Sequence, residues 1–143
     1  MPAMARVRAA RLGDCRQIVA FDPVAAGDVA RRRQIKRAIE ERGCLVACVD
    51  KQVVGYAIVD RRFYERPFLW LLVVAPELRR HGVARRLFEA VAEKVRGETL
   101  FSSTNQSNKL MRRIFKRWGF KPAGKILGLD PGDPELVYVK HWT

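Results

Sequence analysis

The chain has 143 residues, 48% of them hydrophobic and 30% charged, which is the balance of a folded domain with its own core. It is too short for two ordinary domains, so one is expected over residues 1–143. Lysine and arginine outnumber aspartate and glutamate 28 to 15, and the resulting charge of +13 argues against polycationic partners and for anionic ones. No apolar run approaches the roughly 20 residues that cross a bilayer, and "MPAMARVRAA" has no sustained apolar stretch of a secretory signal; a cytoplasmic chain is expected.

In chain order, "ARVRAA" reads as a first strand. "RLGDCRQIVAFDP" predicts a short helix with Asp14 as N-cap and Pro23 closing it. "GDVARRRQIKRAIEERG" predicts a second helix, its apolar stripe made of Val29, Ile35, Ala38 and Ile39, ended by Gly43. The period then changes. "CLVACVD" and "QVVGYAIVDRRFY" read as strands joined at Asp50-Lys51, and "FLWLLVVA" as a strand buried on both faces. Val83, Leu87, Phe88, Val91 and Val95 recur at helical spacing up to Gly97. "TLFSST" is another strand. Leu110, Met111, Ile114, Phe115 and Trp118 form the apolar face of a further helix, with Ser107 as N-cap, Gly119 at C′ and Phe120 at C″. "GKILGL" and "ELVYVKHW" close the chain as a hairpin around "DPGDP". The order β-α-α-β-β-β-α-β-α-β-β predicts an α+β fold with a mixed, largely antiparallel central sheet.

Three cysteines and two histidines offer no metal or disulfide spacing. Cys44 and Cys48 share one face of a strand and read as small buried hydrophobes.

The chemistry concentrates at "RRHGVA", residues 79–84, where an apolar strand feeds into a helix. The first amides of a helix lack intrahelical acceptors and lie at the positive end of its dipole, a ready anion site. Gly82 and Ala84 remove side-chain bulk, and Arg79, Arg80, Arg85 and Arg86 raise the local potential. A pyrophosphate could receive several consecutive amides. The Walker and dinucleotide glycine patterns are both missing.

Here the sequence resembles the GNAT family of N-acetyltransferases, whose pyrophosphate loop Arg/Gln-x-x-Gly-x-Gly/Ala is matched by Arg79-x-x-Gly82-x-Ala84. Downstream, "NKLMRRIFKRWGF" resembles the family's Asn-x-x-Ala-x-x-x-Tyr-x-x-x-Gly-Phe segment, with Asn108, Gly119 and Phe120 at the right spacing, and with Met111 and Phe115 at its alanine and tyrosine positions. The resemblance implies a GNAT fold, with helices on both faces and a splay between the fourth and fifth strands that holds acetyl-CoA. The pantetheine arm would pair with Leu72, Val73 and Val74. The pyrophosphate would rest on the amides of Arg80, His81, Gly82, Val83, Ala84 and Arg85, Arg79 completing the loop. Asn108, Met111 and Phe115 would border the arm, with Asn108 hydrogen-bonding it. A neutral amine would attack the thioester while the Val74 N–H stabilises the oxyanion.

Phe115 cannot donate a proton, as the family's tyrosine often does. Glu65, in "RRFYERPF", and Tyr138, on the last strand, are candidates for the general base; each also reads as an ordinary turn charge or core phenol, and a water relay is a third reading. Asp130, Asp133 and Glu135 in "LDPGDPE" either attract a cationic amine or serve a turn. The amine acceptor is thus a small molecule or a macromolecule, and the enzyme a monomer or homodimer. Two competing readings are a basic nucleic-acid-binding module, with "ARRRQIKRAIEER" supplying phosphate contacts, and a CoA-binding relative with weakened or lost catalysis; an anionic partner such as RNA is expected to be compatible with the charge.

Overall fold

The computed structural model describes residues 4–142. Among them seven strands form one sheet: β1 (Arg6–Ala9), β2 (Cys44–Val49), β3 (Gln52–Phe63), β4 (Arg66–Val74), β5 (Leu100–Asn105), β6 (Lys121–Ile126) and β7 (Glu135–Lys140). Their spatial order is β1-β2-β3-β4-β5-β7-β6, with β4 and β5 parallel and every other pair antiparallel. Strand alternation feeds two cores. Cys44 and Val46 of β2 and Tyr56 and Ile58 of β3 pack with α1 (Cys15–Phe21), α2 (Pro23–Gly27) and α3 (Val29–Glu40). Ala47 of β2 and Ala57 and Val59 of β3 pack on the other face with α4 (Val83–Val95) and α5 (Lys109–Arg117). The expected α+β architecture with helices on both faces is what the chain forms.

The local devices explain the element ends. Asp50 and Lys51, both at positive φ, make the two-residue β2–β3 turn, and Tyr64 and Glu65 make the equivalent turn between β3 and β4. All five spaced apolar residues of α4 are buried. At the end of α5, Gly119 (φ 86°) donates to the Lys116 carbonyl at 3.1 Å and Phe120 to the Phe115 carbonyl at 2.9 Å, a Schellman closure with Phe120 buried against Phe115. Burial pushes the Cys44 thiol up to about 12, so it stays protonated.

Several expectations are corrected. Asp14 holds the N-cap position of α1, but its carboxylate makes no cap bond to that helix; it is held by Arg8 at 2.8 and 3.0 Å and by the Arg11 N–H at 2.7 Å, because β1 brings Arg8 alongside. Pro23 follows the end of α1 as expected and also starts a second short helix: it is the first residue of α2, and Asp22 caps it by accepting from the Val24 and Ala25 amides. Val29 and Leu110 face outward, so the stripes of α3 and α5 are narrower than drawn. The left-handed residue ending α3 is Arg42, and Gly43 follows it where a Cβ would stand 2.8 Å from the Val59 carbonyl. Asn108, not Ser107, caps α5, accepting from the Met111 N–H at 3.1 Å. β6 begins three residues earlier than "GKILGL" implied, at Lys121 opposite Val139, and ends at Ile126, because Leu127 and Leu129 are exposed in the loop after it.

Candidate functional site

β4 and β5 run side by side only briefly. Their pairing is confined to Phe68 with Phe101 and Leu69 with Ser102, after which β4 continues to Val74 and β5 to Asn105 without meeting. The Ser102 hydroxyl donates to the Leu69 carbonyl at 2.7 Å at this last rung. Beyond it, β4 stays with β3 as far as Val74 opposite Gly55. The register against β3 slips at Trp70, and such a bulge bends its strand and increases its twist. The Ala75 N–H reaches the Val54 carbonyl at 2.7 Å, on the β3 side. Alternation along the strand therefore turns the Val74 N–H the other way, into the gap.

Because β4 and β5 are parallel, both end at the same edge of the sheet, and each leads to a helix that starts there. After β4 a 3-10 turn (Pro76–Leu78) carries the chain into Arg79–Gly82. Arg80 (φ 69°) and Gly82 (φ 79°) are both left-handed, and Gly82 is the N-cap of α4 with no side chain to satisfy the following amides. The first α4 bond onto Gly82 comes from the Arg86 N–H at 3.1 Å. Among the described residues, the amides of Arg80 through Arg85 have no acceptor in the protein. Six successive donors around two left-handed turns form a concave cradle for an anion. A Cβ on Gly82 would meet nothing within 4 Å, so the space is open and φ alone requires glycine there. Val83 is buried and anchors the helix start; Arg79, Arg80, His81 and Arg85 are exposed and add positive field.

On β4, Leu72 packs toward the α4–α5 side and Val73 toward the α1–α3 side; by the same alternation the backbone groups of Leu72 and Val74 face the gap, while those of Val73 face β3 opposite Tyr56. Asn108 stands at the start of α5; with its Oδ1 occupied by the helix cap, its Nδ2 is a free donor among the described residues. Met111 is half-buried against the same core. Phe115 lies in that core, 1% exposed, with ring centroids 5.0 Å from Phe120 and 4.8 Å from Tyr138. The structure does not bring the two base candidates together. Glu65 sits in the turn at the opposite end of β4 from Val74, up to roughly 30 Å away along the strand. Tyr138 is opposite Ser102, level with the root of the gap, but its ring faces α5.

A buried polar cluster escaped the sequence reading. Asp22, 1% exposed, accepts from the Tyr56 hydroxyl at 2.5 Å and from Arg31 at 3.0 Å, while also capping α2. Burial first, then the bond to Asp22, holds the Tyr56 phenol well above its ordinary pKa. Since Tyr56 is opposite Val73, this cluster ties α2 and α3 to the strand beside the gap. "FDP", an Asp just before a helix-starting proline, was the signal available.

The family model of the acetyltransferase (GNAT) family matches residues 12–120, and the chain belongs to that family. A GNAT-family acetyltransferase from Bacillus cereus is 33% identical with a TM-score of 0.89, the match covering 99% of both chains. A ribosomal-protein-alanine N-acetyltransferase from Brucella melitensis shares the fold at 23% identity, TM-score 0.77, over 96% of this chain and 99% of that one. So does a chain of the NatC complex bound to Gag peptide and CoA, at 13% identity, TM-score 0.79, over 97% and 99%. Comparison with curated proteins finds no match.

Proposed function

We propose that this family member transfers acetyl from acetyl-CoA to a primary amine by direct attack. The observation that carries the reading is the gap between β4 and β5 opening onto six unpartnered amides at the same sheet edge. The residues fit the cofactor. The cradle from Arg80 to Arg85 would take its pyrophosphate, the backbone of Leu72 to Val74 its pantetheine arm, and Asn108 Nδ2 a carbonyl of that arm. When bound, acetyl-CoA supplies an acetyl group activated as a thioester.

The Val74 N–H, aimed into the gap, would be the donor placed to stabilise negative charge on the thioester carbonyl oxygen of a bound acetyl-CoA. The acceptor enters from the α1–α3 side, the face opposite α4 and α5, where the Asp22–Tyr56–Arg31 cluster fixes the wall. The β4 side chains from Pro67 to Val74 include no carboxylate, and in this reading a water relay would carry the amine's proton away. Phe115 has no proton to give, and none is demanded of it, because a thiolate is a stable leaving group. The test is a thermal shift with acetyl-CoA together with a thiol-release assay over a panel of amines, including peptides with free N-termini. Stabilisation by acetyl-CoA and CoA release with one class of amine are expected. The absence of both a thermal shift and binding heat at saturating acetyl-CoA would overturn the reading.

A further inference from the structure

We propose that the groove between α5 and β6 is a binding site for single-stranded RNA. The groove has a volume of about 810 Å3, and Lys109, Arg112, Arg113, Lys116 and Lys121 line it, with no acidic residue among its walls. Its floor is apolar: Phe120, Pro122 and Tyr138. Among the described residues, none of the five cations is in an ion pair, although Arg61, Arg62 and Arg85 elsewhere each have an acidic partner. Arg112 also donates to the Gln106 carbonyl at 3.0 Å, which fixes its direction. Holding this many unneutralised cations side by side costs stability through mutual repulsion, and an anionic occupant relieves it.

The spacing selects the occupant. Positions 109, 112, 113 and 116 recur at three and four residues, so neighbouring side chains stand about 5–6 Å apart on one flank of α5. The row runs roughly 10 Å along the helix. Lys125, opposite Leu136 on β7, is on the same sheet face and extends the cationic wall on the β6 side. A regular row of fixed cations suits a backbone carrying one charge per repeat. Arginine forks grip phosphate at two points, and their planes stack on bases. An apolar floor between two basic walls receives sugar and base while the phosphates meet the rims.

Other occupants fit less well. A second copy of the chain would bring like charge against like charge. An extended acidic peptide would add to the sheet edge, but β6 carries Lys121, Pro122 and Lys125 and a register slip beside Gly124, devices that blunt an edge. The groove also differs from the acetyl-CoA gap, since Met111 and Phe115 are packed in the core while the four α5 cations are exposed on another flank. The proposal does not depend on acetyl transfer, because RNA binding is read without acetyl-CoA.

The test is fluorescence anisotropy of the full chain with a labelled mixed-sequence single-stranded RNA of about twelve nucleotides. Binding is expected, with a log–log salt slope of roughly −3 for four to five phosphate contacts. Arg113→Glu with Lys116→Glu should weaken it about 30-fold or more, and the neutral pair Arg113→Gln with Lys116→Gln by about 5-fold or more. Arg33→Glu with Arg37→Glu on α3, exposed residues with the same change in net charge, should cost less than about 3-fold. Circular dichroism melts establish that each variant is folded. The proposal is overturned if both glutamate pairs weaken binding equally, if RNA fails to bind at low salt, if CoA displaces it, or if poly-glutamate of equal charge competes as well as unlabelled RNA.

Discussion

The Ser102 hydroxyl donates to the Leu69 carbonyl at 2.7 Å, and at that rung the parallel pairing of β4 and β5 stops. The bond pins the root of the gap. A serine side chain does there what the next ladder hydrogen bond would otherwise do, while both strands diverge above it. Ser102 is 2% exposed, so Ser102→Ala deprives a buried carbonyl of its partner. A loss of about 1–2 kcal/mol in urea denaturation is expected. Acetyl-CoA affinity should fall as well, because the gap's width is set from its root. Unchanged stability would mean that the carbonyl finds another donor.

Gly82 tests the cradle. Its φ of 79° costs an L-residue about 1–2 kcal/mol, although a Cβ there would touch nothing. Gly82→Val should therefore reshape the loop rather than clash with it, leaving the remote core packed. We expect calorimetry to show acetyl-CoA binding weakened about tenfold or more, a loss of about 1.4 kcal/mol or more. Far-UV circular dichroism should remain that of the parent. Equal affinity would show that the amides from Arg80 to Arg85 do not hold the cofactor.

What could be read from sequence alone was what local chemistry decides. The helical spacing of Val83 to Val95 and the Gly119-Phe120 closure depend on residues within a turn or two of each other, and both stand as expected. The amide cradle was legible because glycine and alanine at a strand–helix junction carry a backbone requirement. Non-local partners were not legible. Asp14 stands at a helix start, but its sequence neighbours do not show that β1 delivers Arg8 to its carboxylate, and nothing local to Asp22 shows that β3 delivers Tyr56. The bulge at Trp70 hides inside a continuous apolar run, where alternation gives no phase. Apolarity misplaced β6, since Leu127 and Leu129 have no core above them.

The Arg8–Asp14 pair sets an acid limit on stability. Hydrogen bonds from Arg8 are the main cause holding the Asp14 carboxyl below the usual carboxylate range, with the Arg11 amide helping and burial opposing. A depressed folded-state pKa means that the unfolded chain binds the proton more readily. The stabilisation is therefore present above the ordinary aspartate value near pH 4 and is lost as pH falls through the lower folded value. Asp14→Asn should lower the urea midpoint at pH 7 and flatten its decline below about pH 4. A parallel decline in parent and variant would assign the acid sensitivity to other carboxylates.

The Asp22 cluster predicts a split between folding and catalysis. Tyr56→Phe removes the 2.5 Å donor from a carboxylate that is 1% exposed, leaving Arg31 and the α2 amides as its partners. A cost of about 1–3 kcal/mol is expected. With the acceptor entering on the cluster's side, as proposed, KM for the amine should rise while the affinity for acetyl-CoA holds. A matching loss in both affinities would show a general loosening of the sheet.

Phe115→Tyr asks whether the missing phenol was ever within reach of the gap. The ring is 1% exposed and enclosed by Phe120 and Tyr138, so an added hydroxyl enters packed aromatic surface. Without a partner such a group costs about 1–3 kcal/mol, and fitting its extra volume adds to that. The expected result is a lower melting temperature with CoA-release turnover within about threefold of the parent, a barrier change of less than about 0.7 kcal/mol. A large gain in turnover at unchanged stability would place the ring edge on the gap, and thiolate departure would then be a step that an acid accelerates in this enzyme.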